Sequence, residues 1–331
     1  MNQIDNDIVS FVAKKNRLSG PLEGTRFSTG QINRVYNLAN KYVLKIEGDP
    51  WIGPGHEILK PTVGITAKLL EKGARVPKIL DSDTVNGQRY ILMEKIRGSD
   101  LSNDWMLLSQ KRKEKIVEQL ATELQIWHSI SFEEYAIPIV AFRPFDNLRF
   151  AIERLFEKQM NALSPDKLPK EVLSYVTILE RFYYDHIGDL DETGTAVLCH
   201  TDIHLENILY EEGELTAIID LDWAAQAPKD YDLWKIADTF HRPKYTVEER
   251  LEPLYGDYQM IDELNWLKKY YPKLFDVNNL ADRVRLYYVD VLIEILIEYA
   301  NGKWTAKALD KVAEKIRDFF LNPWLDKALS L

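Results

Sequence analysis

Cysteine is almost absent from this sequence: in 331 residues Cys199 stands alone. One thiol cannot build an intrachain disulfide framework. Its place at the end of the apolar run Ala196-Val197-Leu198-Cys199 suits a buried, inert group in a reducing compartment, the cytoplasm. Long apolar runs are missing as well. No stretch approaches 18 consecutive apolar residues, and Asn2, Asp5 and Asp7 stand where a basic leader would, so neither a membrane span nor a secretory signal is expected. Positive charge is in deficit. A formal net charge of −10 argues against a nucleic-acid partner and is compatible with a cationic substrate drawn to an acidic cleft. Repeats, low-complexity tracts and long linkers are lacking too, which leaves a globular chain long enough to bury a core in two lobes.

Apolar periodicity divides the chain. Ile4, Ile8, Phe11 and Val12 recur at helical spacing and predict an amphipathic helix over 3–16. Strands are expected near 22–28, 33–38 and 41–47, then a Gly/Pro loop over 48–55 and a helix from about Pro61 to a stop at Gly73. Two more strands, near 76–81 and 89–96, flank the hairpin signal Asn86-Gly87. From 111 onward helices dominate, beginning with the stripe Ile116, Leu120, Leu124 and Trp127 and continuing near 146–163, 169–187, 230–240, 258–271, 279–300 and 305–321. A hairpin within 196–222 interrupts them. The pattern gives an α+β chain: a β-rich N-lobe over 1–96 and a helical C-lobe over 97–331.

That hairpin carries the chemistry. His200-Thr201-Asp202-Ile203-His204-Leu205-Glu206-Asn207 sets an acid and an amide at opposite ends of one short loop. The acid can accept a hydroxyl proton while the amide oxygen reaches a metal ion. Glu211-Glu212-Gly213-Glu214 turns the chain back, and the returning strand ends at Asp220, whose carboxylate can hold Mg²⁺ against phosphates. Asn207 and Asp220 each lie at a strand end remote from the turn, so they arrive together. The set reads as a phosphoryl-transfer site and not as a surface loop with ordinary carboxylates.

A triphosphate must also be neutralised and positioned. In Leu44-Lys45-Ile46, strand alternation turns Lys45 away from its apolar neighbours, where it can reach α- and β-phosphates. Ser28, Thr29 and Gly30 form the tip of a strand–turn–strand whose N–H groups and hydroxyls could cover phosphate oxygens; one tip glycine is by itself only a hairpin signal. The segment Leu92–Gly98 leaves the last N-lobe strand, and backbone at Glu94 and Ile96 is the natural place to pair with the edge of a nucleotide base. His128, on a helix, reads as a packed or capping residue, and Trp127, Trp234, Trp266 and Trp304 as core.

On these residues the chain resembles the aminoglycoside phosphotransferase and choline kinase group, small-molecule kinases with a protein-kinase-like bilobal fold. The resemblance runs from about residue 20 to 240. It rests on Gly30-x-x-Asn33-x-Val35-Tyr36, Val43-Leu44-Lys45, Val76-Pro77-Lys78, His200-x-Asp202-x-His204-x-x-Asn207, Ile219-Asp220 and Tyr231-Asp232-Leu233. It implies Asp202 as catalytic base, Asn207 and Asp220 as Mg²⁺ ligands, Lys45 on phosphates, and the 94–96 backbone on the base. Asp232 and His200 would brace the catalytic loop. The group pairs its strand lysine with a glutamate on the next helix. Glu57 lies twelve residues after Lys45 and ahead of Pro61, so either that helix starts earlier or the pairing differs. Asp222 is either a second acid near the metal or a plain hydrogen-bonding group.

The expected activity is transfer of the γ-phosphate of ATP or GTP to a hydroxyl of a small, cationic molecule, with an aminoglycoside leading and antibiotic resistance as the role. A metabolic kinase of choline, ethanolamine, homoserine or a thiosugar is the alternative. A non-catalytic binding or coat protein that kept the fold is a third reading, opposed by the joint presence of Lys45, Asp202, Asn207 and Asp220. A protein kinase is disfavoured, because twelve positions separate Asp220 from Asp232 and no Ala-Pro-Glu follows.

Overall fold

The computed structural model describes residues 3–18, 25–26, 33–48, 59–131, 148–191, 194–302, 306–322 and 324–330. It opens with helix α1 (Gln3–Lys15), followed by strands β1 (Thr25–Arg26), β2 (Arg34–Leu38) and β3 (Tyr42–Ile46). Helix α2 (Leu59–Glu71) and the hairpin β4 (Ile79–Val85) and β5 (Gln88–Glu94) complete the N-lobe. The five strands form one antiparallel sheet in the order β1-β2-β3-β5-β4. Register fixes its faces: Tyr36 is opposite Leu44, and Leu44 is opposite Leu92. With Leu38, Ile46 and Tyr90 they make an apolar face that α1 covers with Ile8, Val9 and Val12. Polar ties hold α1 there. Asp5 accepts from Tyr36 Oη (2.5 Å) and Arg34 Nε (2.9 Å), and Lys15 donates to Asp81 and Asp83 (2.9 Å each). Lys45 belongs to the alternate face by its period of two.

The C-lobe opens with β6 (Ser99–Asp100), followed by α3 (Gln110–Trp127), α4 (Leu148–Ala162) and α5 (Lys170–His186). Strands β7 (Val197–Cys199), β8 (Ile208–Glu211), β9 (Glu214–Ile218) and β10 (Ala225–Ala227) follow. Helices α6 (Asp232–His241), α7 (Glu252–Tyr255), α8 (Ile261–Tyr270), α9 (Pro272–Phe275), α10 (Leu280–Ala300), α11 (Ala306–Ile316) and α12 (Trp324–Ser330) close the chain. Helix α10 runs through the middle, burying Leu286, Val289, Leu292, Ile293 and Leu296 completely. Its apolar residues lie all round because neighbours pack on several sides. Among the described residues no helix is long and apolar enough to cross a membrane.

Two departures from the expected elements have local causes. Helix α2 starts at Leu59, ahead of Pro61, because proline costs nothing in the first turn, where its missing N–H has no partner to lose. Strand β4 starts at Ile79 and not at 76, since Pro77 cannot donate to a ladder. The strand expected near 22–28 is described only at Thr25–Arg26. Strand β10, antiparallel to β7 and closing the small sheet under the His200–Asn207 loop, was not foreseen. Both hairpin turns are as the residues demand: Asn86-Gly87 and Glu212-Gly213 hold positive φ at both central positions. Gly98 has φ +101°, and a Cβ there would run into the Tyr210 carbonyl, so glycine is what lets the inter-lobe segment lie on β8.

Candidate active site

The loop that carries Asp202 lies between β7 and β8 and is held from below by one buried carboxylate. Asp232, at the first residue of α6, is fully buried. Its Oδ1 accepts from the N–H of Thr201 (2.6 Å), and its Oδ2 accepts from the N–H of His200 (3.2 Å) and from His128 Nε2 (2.9 Å). Three donors on one carboxylate are what a buried charge requires. His128 Nδ1 in turn takes the Tyr271 hydroxyl (3.1 Å). Thr201 has φ +67°, a strained value for a β-branched residue, and its hydroxyl donates to the Trp223 carbonyl (2.7 Å). His200 is fully buried, and burial lowers its pKa, so the ring is neutral. Its Nδ1 accepts the N–H of Asp202 (3.2 Å) while Nε2–H donates to the Ile219 carbonyl (2.9 Å). Both ring nitrogens are thus spent on backbone.

Asp202 projects from this braced loop. Lys235 Nζ lies 2.9 Å from its Oδ1, and Asn207 Nδ2 lies 3.3 Å from its Oδ2. His204 Nε2 is 3.6 Å from the same Oδ2. Burial alone would raise the carboxyl, but Lys235 and His204 outweigh it and hold Asp202 well below the usual carboxylate range. Such an acid is a weak base and a good acceptor of a hydroxyl hydrogen bond. Asn207 also donates to the Asp202 carbonyl (2.9 Å), which commits its amide nitrogen and leaves Oδ1 for a cation. The Ile219 N–H donates to the Asn207 carbonyl (2.9 Å), and this bond brings Asp220 beside Asn207.

Across the cleft, Lys45 is buried on β3 and reaches two carboxylates, Asp220 Oδ1 at 2.8 Å and Asp222 Oδ2 at 2.6 Å. Burial would lower the Lys45 pKa; the two acids reverse that and raise it. Asp220 sits at φ +63°, a strained left-handed position that turns its side chain toward the cleft. Burial pushes Asp222 up to about 6, against the pull of Lys45 and with help from Asp220. Asn33 Nδ2 donates to Asp222 (2.6 Å), while Asn33 Oδ1 accepts from the Gly48 N–H (3.1 Å). Asp222 is therefore an inter-lobe tie. Asn207 Oδ1 and the Asp220 carboxylate form an all-oxygen donor pair, the type that suits Mg²⁺ and not a softer metal.

Glu94 ends β5. Its N–H already donates to the Lys78 carbonyl (3.0 Å), which corrects the view of its backbone as wholly open and leaves only its carbonyl for a base. Ile96 follows in half-buried coil. Ser28, Thr29, Gly30 and Glu57 lie outside the described residues. Sequence reasoning missed Lys235, quoted Asn33 without a role, and read His128 as a packed or capping residue; it does cap α3, but its bond to Asp232 was not foreseen. A signal existed for Lys235: it stands three residues after Asp232 on one helix, hence on the same face.

A family model of the APH phosphotransferase enzyme family matches residues 23–266. No curated protein matches the chain in sequence. Among solved structures, the GDP complex of wild-type aminoglycoside 2'-phosphotransferase-IIIa is similar with a TM-score of 0.69 at 15% identity, over 97% of this chain and 99% of that one. The streptomycin-ATP-APH(2'')-IIa ternary complex gives 0.66 at 16%, over 96% and 97%. A thermostable mutant of APH(4)-Ia in a ternary complex with AMP-PNP and hygromycin B gives 0.61 at 14%, over 98% of each chain. At these identities the likeness is one of fold.

Proposed function

Because the chain belongs to the APH phosphotransferase enzyme family, we propose that it moves the γ-phosphate of ATP or GTP, with Mg²⁺, to a hydroxyl of a small molecule. The leading acceptor is a cationic compound of aminoglycoside type, acted on in the cytoplasm. One observation carries the reading: Lys45 contacts Asp220, the residue before Asp220 bonds the Asn207 backbone, and Asn207 contacts Asp202, so the four groups gather at one place. We take 1–96 as the nucleotide-binding lobe and 97–331 as the lobe that holds the acceptor.

Asp202 orients the acceptor hydroxyl and takes its proton late, since its carboxylate is a weak base until the phosphoryl group has begun to move. Lys45 holds α- and β-phosphates, trading part of its contact with Asp220 for them. Mg²⁺ held by Asn207 Oδ1 and Asp220 would neutralise phosphate oxygens. The Glu94 carbonyl and the Ile96 backbone accommodate the base, with Ser28, Thr29 and Gly30 over the phosphates. Glu57 is the remaining candidate partner for Lys45. Support for a cationic acceptor comes from the net charge of −10 and from related folds, one of them a GDP and kanamycin complex. Polycation affinity should then fall as salt rises.

The test is a panel of aminoglycosides, choline, ethanolamine, homoserine and a thiosugar, assayed for ATP and GTP consumption with and without Mg²⁺. Stimulation by one class identifies the acceptor. If the best acceptor is neutral or anionic with salt-insensitive affinity, the aminoglycoside class gives way to a metabolic kinase. Should Asp220→Ala leave metal-dependent turnover intact, the metal site is wrong.

A further inference from the structure

The first turn of α6 does two jobs on one loop. Asp232 holds the backbone of the catalytic loop, and Lys235, three residues on and so on the same face, holds the carboxylate that the loop presents. Lys235 is not a surface lysine. Its side chain is 19% exposed, and its ammonium lies 2.9 Å from Asp202 Oδ1 and 5.7 Å from the centre of the Trp234 ring. Asp238, one turn further on α6, and Glu206 on the catalytic loop add to its field, while Asp238 is itself tied to Lys315 (2.6 Å) and the Tyr288 hydroxyl (2.6 Å).

A carboxylate that must accept a bond from one hydroxyl has to be fixed in plane, because rotation about its last bond exchanges its oxygens. Asp202 is gripped from both sides, by Lys235 at Oδ1 and by Asn207 at Oδ2, the second contact being the longer at 3.3 Å. An ammonium here has a second consequence. Asp202 and Asp220 repel one another, and a triphosphate would add charge between them. Lys45 offsets one side of that cleft and Lys235 the other.

We propose that Lys235 is a positioning residue of the transfer step: its ammonium clamps Oδ1 of Asp202 so that Oδ2 is the oxygen that meets the acceptor. The inference rests on the reading of Asp202 above, and it assigns this role to a residue that lies outside the catalytic-loop motif. Loss of the clamp leaves nucleotide binding untouched, since the bonds to base and phosphates are made elsewhere.

The experiment uses the full chain with Mg²⁺-ATP and Mg²⁺-GTP, water serving as acceptor, and compares the unaltered chain with Lys235→Met, Lys235→Arg, Asp202→Asn and the double variant Asp202→Asn/Lys235→Met. Lys235→Met should keep nucleotide affinity and lose about 10²-fold in turnover, the scale of a misplaced catalytic group. Lys235→Arg should recover most of that loss. The double variant should be no slower than Asp202→Asn alone, because a residue that acts through another has nothing left to act on. A Lys235→Met variant as fast as the unaltered chain, or a double variant whose losses multiply, overturns the proposal. If Lys235→Met fails to fold, Lys235→Gln takes its place in the same cycle; a folded variant that loses nucleotide affinity overturns the proposal. Turnover that survives Asp202→Asn overturns the underlying reading of Asp202 instead, and that arm tells the two failures apart.

Discussion

The loop that carries Asp202 and the Lys45 cluster both rest on buried charges, Asp232 in the first and Lys45 and Asp222 in the second, yet they are held in different ways. The loop is braced within one lobe: Asp232 spends both oxygens on the N–H groups of His200 and Thr201 and on His128, and His200 spends both ring nitrogens on backbone. Lys45 is held across the cleft by Asp220 and Asp222, and among the described residues one buried oxygen of Asp222 has no partner. The brace around Asp232 and His200 has its own polar atoms paired and resists change, although His204 Nδ1 on the same loop has no partner among the described residues; the unmet Asp222 acceptor is open to exchange when a phosphate arrives. The first fixes the Asp202 loop; the second is free to exchange partners.

The sharpest way to break this comparison is at Asp202. Asp202→Asn keeps the shape and the Lys235 side of the site and should lower transfer by about 10²–10⁴-fold with nucleotide affinity retained. Steady-state turnover beside a nucleotide titration checks it. Equal loss of both would make Asp202 structural.

Next comes Asp232→Ala, which leaves two buried N–H groups and His128 without their acceptor. It should destabilise the chain by about 3–5 kcal/mol, read as a lower denaturant midpoint. A loss below 1 kcal/mol, on the scale of ordinary surface changes, would show that the loop is not braced as described.

Asp222→Asn should do the opposite to stability. In the nucleotide- and metal-free chain its carboxyl titrates near 6, above its unfolded value of 3.8. Between those two pH values the folded chain holds a proton that the unfolded chain has released, so stability rises as pH falls from 6 to 3.8 and the buried charge costs stability above 6. Asp222→Asn should therefore raise unfolding stability at neutral pH by about 1–2 kcal/mol and flatten that slope. Unfolding curves at pH 5 and 7.5 measure both. The same change should slow turnover by about tenfold, since Lys45 loses one of its holders.

The smallest effect concerns α6 at its far end. Burial lowers His241 to about 4, despite Asp318 at 3.3 Å. An unfolded histidine takes its proton near 6.5, so this group's share of stability is present above 6.5 and is lost as pH falls toward 4. His241→Phe should remove the part of that acid slope due to this ring, and an unaltered slope would assign it elsewhere.

The spacing His200-x-Asp202-x-x-x-x-Asn207 and the strand end at Asp220 were legible because a hairpin is local: its turn residues and apolar alternation fix which ends meet. The longer helices of the C-lobe were legible for the same reason, since a period of 3.6 needs only neighbours in sequence, while the short α7, α9 and α12 were not foreseen. The first and last residues of α2 and β4 shifted by a few positions, because termini are decided by capping and packing and not by periodicity.

What the sequence determined by itself was the set of chemical groups: Asp202, Asn207, Asp220 and the strand lysine Lys45, each on a short-range element. What only the tertiary structure decided was who holds them. Lys45 and Asp220 are 175 residues apart, Asn33 and Asp222 are 189 apart, and His128 and Asp232 are 104 apart. Lys235 meets Asp202 only because α6 returns beneath the loop. Such pairs leave no period and no motif in the chain, since a buried charge selects its partner by distance and burial once the lobes have packed, and any residue of the right charge at that point in space will serve.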